Sequence, residues 1–465
     1  MTSAQHRAEK TNKIQGNMKS RRLTVLSLIA LTGVPLLAQA QPLLGGDLNQ
    51  VTVFSRTYFT AGENTKVYGN VLSGGVGSTG AGSAIQGYFE SAGAANIGAS
   101  IVGGSQTTTS VSGYLKSGDL VTTGDGSIVK GDVTASGAAN IGANAKVGGY
   151  VISGGVGTAG ANAIISGNFS SLGANSIGDS AQVGRTFSSG GLASVGANAK
   201  VGGNVLAGGA ASISGSSNIT GNVFAVKPSV GQSSLSASPV SPTITSSVTA
   251  DVIAHVQKDA EFLRIAQASL SALPNSTAAI MGNDTLHSVI TSALPATMTV
   301  DTTLHAGVYS APSWSTTAGT TLTLDGQGKN NQSWVFNFND ILAFGGTSHV
   351  VLKNVGVGDS VVWNVNNNAL NGYASIGDGA SVVGTIIANT YVSVGANASV
   401  LDVGSTCGGV YSQTSYVSTG ANSIIGGSGC SVTSAVPEPA TYSMLLAGLG
   451  MLVTVIMRRK KTDVG

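Results

Sequence analysis

The chain has 465 residues, 67 of them Gly, with 42% hydrophobic and only 9% charged positions, which excludes a charged disordered tail and a helical bundle and leaves repeat-built β structure. Ten of its 22 basic residues lie in the first 22 positions and in Arg458, Arg459, Lys460 and Lys461, so residues 41–435 hold 12 basic against 17 acidic groups. That balance excludes a cationic footprint for nucleic acid and points to neutral or weakly polar partners.

At the N-terminus Lys19, Arg21 and Arg22 precede an apolar run, 23–37, and Ala38 and Ala40 frame a small-x-small cleavage site. Residues 1–40 therefore read as a signal peptide, with Met18 an alternative start. A transmembrane anchor is the competing reading, but a core broken by Gly33 and Pro35 is short for one.

Residues 41–225 are organised by an 18-residue repeat. The unit apolar, any, Gly, polar or Tyr, apolar starts at Val111, Val129, Val147, Ile165, Val183, Val201 and Ile219; its central Gly is replaced once, by Arg185. Further columns keep the period at Gly124, Gly142, Gly160, Gly178 and Gly196, and at Gly137, Gly155, Gly173 and Gly191. Three fixed columns suit a coil of three short straight runs and three bends, with small residues at corners and β-branched residues stacked inward. The fold class predicted is all-β: a three-sided β-solenoid of about 18 residues per coil, its coils about 4.8 Å apart, with Val111 to Ile219 as one buried ladder. Units at 67–71 and 85–89 precede the run but fall out of phase, which an insertion near 90–110 explains.

Residues 226–247 are rich in Ser and Pro and leave the period. Residues 248–275 form the one good helix, with Ile253, Val256, Ala260, Leu263, Leu270 and Leu273 on an apolar face and Lys258, Asp259 and Glu261 elsewhere. Thr249 is the expected cap, Pro274 the stop, and the flank of the solenoid the surface the helix lies on.

Residues 276–432 read as strands and then as resumed coils. A Gly-Val-Tyr strand (307–309), Leu-Thr-Leu-Asp-Gly (322–326), Phe-x-Phe (336–338), Val-x-Trp-x-Val (361–365) and Gly-Thr-Ile-x-Ala (384–388) follow in an order that resembles the microbial ice-binding-protein family of β-solenoids. The resemblance implies a long helix along a β-helix and a function in ice binding, adhesion or a matrix; fold alone does not choose among them.

The five His show no metal spacing, and Asp125, Asp132, Asp179, Asp378 and Asp402 sit in Gly-rich turns where turn chemistry explains them. Asp378 with Asp402 is the best calcium pair, and a poor one. The sequence thus predicts no catalytic, cofactor or metal residues and no enzyme. Cys407 and Cys430, an even number in an exported chain, point to one disulfide, with two free thiols as the alternative.

Residues 433–465 hold Val436, Pro437, Glu438 and Pro439, an apolar stretch at 440–457, and the basic stop Arg458, Arg459, Lys460 and Lys461. The stretch is just long enough for a C-terminal transmembrane helix that anchors the chain in a membrane, the basic cluster staying cytoplasmic. The order of parts resembles the PEP-CTERM sorting signal of Gram-negative bacteria, which implies an exosortase as processing partner and an exported protein held at the cell envelope or released. A flat face of Thr, Ser, Ala, Asn and Gly makes ice the first candidate ligand and exopolysaccharide the second; self-assembly of chains is left open.

Overall fold

The computed structural model describes residues 44, 48, 50–100, 107–228, 247–274, 279–282, 289–290, 294–366, 372–404 and 406–427. The signal peptide with Ala38 and Ala40, Cys430, the sorting motif at Val436, Pro437, Glu438 and Pro439, the apolar stretch and the basic stop from Arg458 to Lys461 lie outside these residues.

One coil shows how the sequence bends. Lys146–Val147 is followed by Val151–Ser153 and Gly157–Ala159, three short strands separated by two glycine pairs and a turn. At that turn Asn162 has φ of 58°, and Asn64, Asn144, Asn198, Asn397 and Asn422 occupy the same corner of their coils with similar values. Asn tolerates this left-handed conformation, which explains the recurring Gly-Ala-Asn phrase. The central Gly of the repeat answers a different need. A Cβ on Gly167 would lie 2.8 Å from the Gly149 carbonyl oxygen. Where Arg185 replaces that glycine, its N–H reaches the Gly167 carbonyl at 3.3 Å, against 2.8–3.0 Å for Gly113, Gly131, Gly149 and Gly167.

Each strand pairs in parallel with its counterpart in the next coil, so the three strands per coil build three faces. Face a contains Leu115–Ser117, Val133–Ala135 and Val151–Ser153; face b contains Val121–Thr123, Ala139–Ile141 and Gly157–Ala159; face c contains Ile128–Val129, Lys146–Val147 and Ile164–Ile165. The expected ladder is present: Val111, Val129, Val147, Ile165, Val183 and Val201 are buried in register on face c, and Ile219 at its end is partly buried. The phase slip is also explained, because Phe89 pairs with Leu115, 26 residues on, the surplus falling between Ile97 and Ser110.

The coils of the two halves form one stack. Val53 pairs with Val410, Phe59 with Val417 and Lys66 with Ile424, so the first N-terminal coil lies directly on the last C-terminal one. Along the axis the order is therefore 297–425 and then 51–228. At the lower end Ala279–Gly282 pairs antiparallel with Thr302–Leu304. The core changes character along this stack. Valine, isoleucine and alanine fill the 18-residue coils, whereas Trp314, Trp334, Trp363, Phe336 and Phe338, all at most 1% exposed, fill the wider coils below. Phe336 stacks on Trp363 with centroids 4.0 Å apart, and the indole N–H groups of Trp334 and Trp363 donate to the carbonyls of Leu304 and Val383.

The helix, α1, runs Ser247–Ser271 along face a. Its buried stripe is Val248, Val252, Val256, Leu263, Ala266 and Leu270, packed on Phe54, Leu72, Val335, Val362 and Ile387. Two expectations are corrected. Ile253 is 40% exposed, because Val252, one position earlier, continues the 3.6-residue stripe, while Asp259, assigned to the polar side, falls on that stripe and is fully buried. Thr249 is the third residue of the helix rather than a cap, and its hydroxyl lies 2.8 Å from both the Gly118 carbonyl and the Ser136 hydroxyl. At the other end Asn337 donates its amide to the Leu270 carbonyl at 2.8 Å. The helix thus spans the junction between the two halves. Among the described residues no helix is long and apolar enough to cross a membrane.

Candidate functional site

The three faces differ in what they present. On face a the helix covers the coils from Val308 up to Leu72, and above them a polar cluster pins its first half. His255 Nδ1 is 2.9 Å from Glu90 Oε2 and its Nε2 is 3.5 Å from Asp259 Oδ2, while the Tyr114 hydroxyl donates to Glu90 Oε1 at 2.7 Å. Burial pushes the Glu90 carboxyl upward, but hydrogen bonds from His255 and Tyr114 and the charges of His255 and Lys116 outweigh it and hold the group below the usual carboxylate range. Sequence reasoning missed this cluster, although Asp259 lying in step with Val256 and Leu263 was its signal.

On face c the outward strand positions of the N-terminal coils include the exposed Lys66, Lys146 and Lys200 beside Ile128 and Ile164, with Lys130 just past its strand, and the acids Glu63, Asp125 and Asp179 at the corner with face b and Asp132 at that with face a.

Face b is different from both. Its strands point two residues inward and one outward, and the outward residues pair coil to coil in an unbroken column: Thr297, Ser315, Ala343, Ser375, Ser393, Ser418, Thr60, Ser78, Asn96, Thr122, Asn140, Thr158, Ser176, Ser194 and Ser212. Every one of them is small and uncharged. Two neighbouring pairs on the column bond to each other, the Thr158 hydroxyl donating to Asn140 Oδ1 at 2.8 Å and Thr297 lying 3.1 Å from Ser315, which restricts the rotamers of these four. Glycines 62, 80, 98, 124, 142, 160, 178 and 196 flank the column on one side, where a Cβ would meet the backbone of the neighbouring coil. On the other side Tyr373, Tyr391, Tyr416 and Tyr58 stack at 4.8, 5.0 and 4.6 Å, which measures the rise per coil, and Val76, Val156 and Leu192 continue the row upward at 46–47% exposure. Burial first, and the neighbouring phenols second, raise the Tyr58 and Tyr391 hydroxyls above the ordinary tyrosine range.

The acidic residues singled out in the sequence serve the stack. Asp125, Asp132, Asp179 and Asp378 each accept the backbone N–H of the residue 18 positions on, Ala143, Tyr150, Ala197 and Ala396, at 2.8–3.0 Å. Asp378 stands at the corner between faces b and c and Asp402 at that between c and a, so the structure does not bring this pair to one corner. Among the described residues no three His, Cys, Asp or Glu side chains gather as metal ligands. Cys407 is disulfide-bonded and stands at the corner between faces c and a.

The comparisons with known proteins fall on two segments. Residues 230–425 match the family model for Ice-binding-like. That segment is similar to the ice-binding-like family. Residues 435–461 match the PEP-CTERM protein-sorting motif, a signal for export and cell-surface sorting. Solved structures similar to this chain include the ice-binding protein of the Antarctic ascomycete Antarctomyces psychrotrophicus (19% identity, 54% of this chain and 92% of that one, TM-score 0.28). Two others are ice-binding protein 1 of Shewanella frigidimarina (20%, 54% and 92%, 0.29) and an ice-binding protein of an Antarctic Flavobacteriaceae bacterium (13%, 84% and 98%, 0.27). No curated protein matches the chain. The segment that matches the ice-binding-like model contributes six members of the face b column, Thr297 to Ser418, and the N-terminal coils add the other nine in the same register.

Proposed function

We propose that this is an exported, non-enzymatic ice-binding protein whose ice plane is face b, extended beyond the ice-binding-like domain by the N-terminal coils. The observation that carries the proposal is the column from Thr297 to Ser212, in which each position is a small neutral residue repeated at the 4.6–5.0 Å rise of the stack. A sheet held on a packed core presents hydroxyl and amide groups whose ordering cost was met at folding, so water adsorbs to a rigid array. The absence of charge from the column leaves no strongly hydrated group to disrupt an ordered layer. We further propose that Val436, Pro437, Glu438 and Pro439 are read by an exosortase, that 440–457 and the basic stop anchor the precursor, and that Cys407 pairs with Cys430.

Purified residues 41–435 should lower the freezing point below the melting point and facet growing ice crystals. Crystals that grow as unmodified discs at high protein concentration would leave the fold and remove the function. Deletion from Val436 onward should convert an envelope-associated protein into a released one, whereas a chain that is cytoplasmic with and without its tail would contradict the sorting proposal.

A further inference from the structure

The place where the chain leaves the stack determines how a tethered molecule is presented. After Ile424–Ile425 on face c, the described chain ends at Gly427, on the corner between faces c and a, with the first N-terminal coil stacked on that same coil. In a three-sided coil this corner is opposite face b. The exit is also inside the stack: coils of 297–401 lie on one side of it and those of 70–228 on the other. Val436 is nine residues further, a reach of at most about 30 Å even fully extended. Cys407 stands at this corner too, so the proposed pairing with Cys430 shortens the free reach to six residues, about 20 Å. On the adjoining face c, Lys66, Lys146 and Lys200 project from strands above the exit and Lys130 follows its strand directly, while Glu63, Asp125 and Asp179 stand at the corner with face b and Asp132 at the corner with face a.

From these placements we infer that face c is a docking surface for anionic lipid headgroups, and that a chain held by its tail lies side-on to the membrane, gripped at its waist, with face b turned outward. The inference rests on the proposed tail anchoring; it does not depend on what face b binds. Lysines close to an anionic surface strengthen its attraction about fivefold each, and the effect disappears within a Debye length. That attraction fixes the roll of a rod that a short tether alone would leave free to turn.

The test uses the chain from Gln41 to Gly465 on vesicles of phosphatidylglycerol and phosphatidylcholine, carrying either Ser176→Cys on face b or Ser166→Cys on face c, and labelled with a maleimide coupled to a protein-sized carrier. Ser176→Cys should label at the same rate with and without vesicles. Ser166→Cys should label at least fivefold more slowly on vesicles, and the protection should vanish at about 1 M salt, where the Debye length is ~3 Å, and in the Lys146→Glu/Lys200→Glu double variant. Ser112→Cys serves as a second face c probe should Ser166→Cys fold poorly. Equal rates on the two faces, protection of Ser176→Cys instead, or failure of the chain to associate with the vesicles would each overturn the inference. An outward face b on a protein that leaves ice crystals unmodified would keep the docking and remove only the ligand.

Discussion

In the coils of 51–228 the repeat is 18 residues but for the 26-residue step from Phe89 to Leu115, and inward columns of Val, Ile, Ala and Phe close the core; in those of 297–425 successive coils differ by 18 to 32 residues and three tryptophans hold the wider interior. The narrow coils are specified by position, since each inward side chain meets its own counterpart one coil away. The wide coils are specified by shape, through a few large rings that touch several coils at once, as Trp363 touches Phe336, Trp314 and Phe344. Both solutions keep face b in register across the junction at Phe59 and Val417. The lesson is that a solenoid conserves its rise per coil while its cross-section varies, so a surface built on the rise survives where the core does not repeat.

Two substitutions should separate these solutions. Val147→Asp places an unpaired carboxylate in the narrow ladder, where no partner is within the column, and should cost more than any other change named here, abolishing cooperative unfolding of the neighbouring coils by calorimetry. Trp363→Ala leaves a cavity in the wide core and should cost about 3–5 kcal/mol in denaturant unfolding while hydrogen exchange in 121–201 stays protected. Loss of protection there would mean that the two cores are not independent.

A smaller effect sharpens the role of the helix that joins the regions. The Glu90 carboxyl is held below its unfolded value, so its contribution is fully present above about pH 4.5 and is lost as pH falls through the lower folded value. Denaturant unfolding should therefore weaken on acidification below that pH, and Glu90→Gln should lower stability at neutral pH by about 1.5–3 kcal/mol and flatten the acid dependence. Unchanged acid sensitivity in the variant would assign it to other carboxylates. Smallest is Asn162→Ala at the left-handed corner, worth about 1 kcal/mol, with Asn162→Gly nearly neutral.

Much of this was legible in the sequence, and the limits are physical. The ladder from Val111 to Val201, the Gly corners and the extra residues before Ser110 follow from an 18-residue period, because parallel stacking turns sequence spacing directly into contact. The contact of Val53 with Val410 carries no such trace: nothing local marks which coil begins the stack when partners are hundreds of residues apart. Helix periodicity gave the right segment but placed Ile253 on the buried side, since the apolar residues Val252 and Ile253 are neighbours and only the solenoid decides between them. Net charge concealed face c, because in residues 41–435 the 12 basic groups are outnumbered by 17 acidic ones and the sum does not show where the lysines stand. The column of face b was present in the repeat as Thr122, Asn140, Thr158, Ser176, Ser194 and Ser212, but its continuation through Thr60, Ser418 and Ser393 required the junction.

The claim that one plane runs through both regions is tested most directly by measuring thermal hysteresis of Ser393→Tyr, in the segment that matches the ice-binding-like model, and Ser194→Tyr, in the N-terminal coils, beside Ser166→Tyr on face c. If both regions contribute to a single ice plane, each face b variant loses most of the activity of the unaltered protein and the face c variant keeps it. Retained activity in both face b variants, or its loss only in the face c variant, would contradict the account.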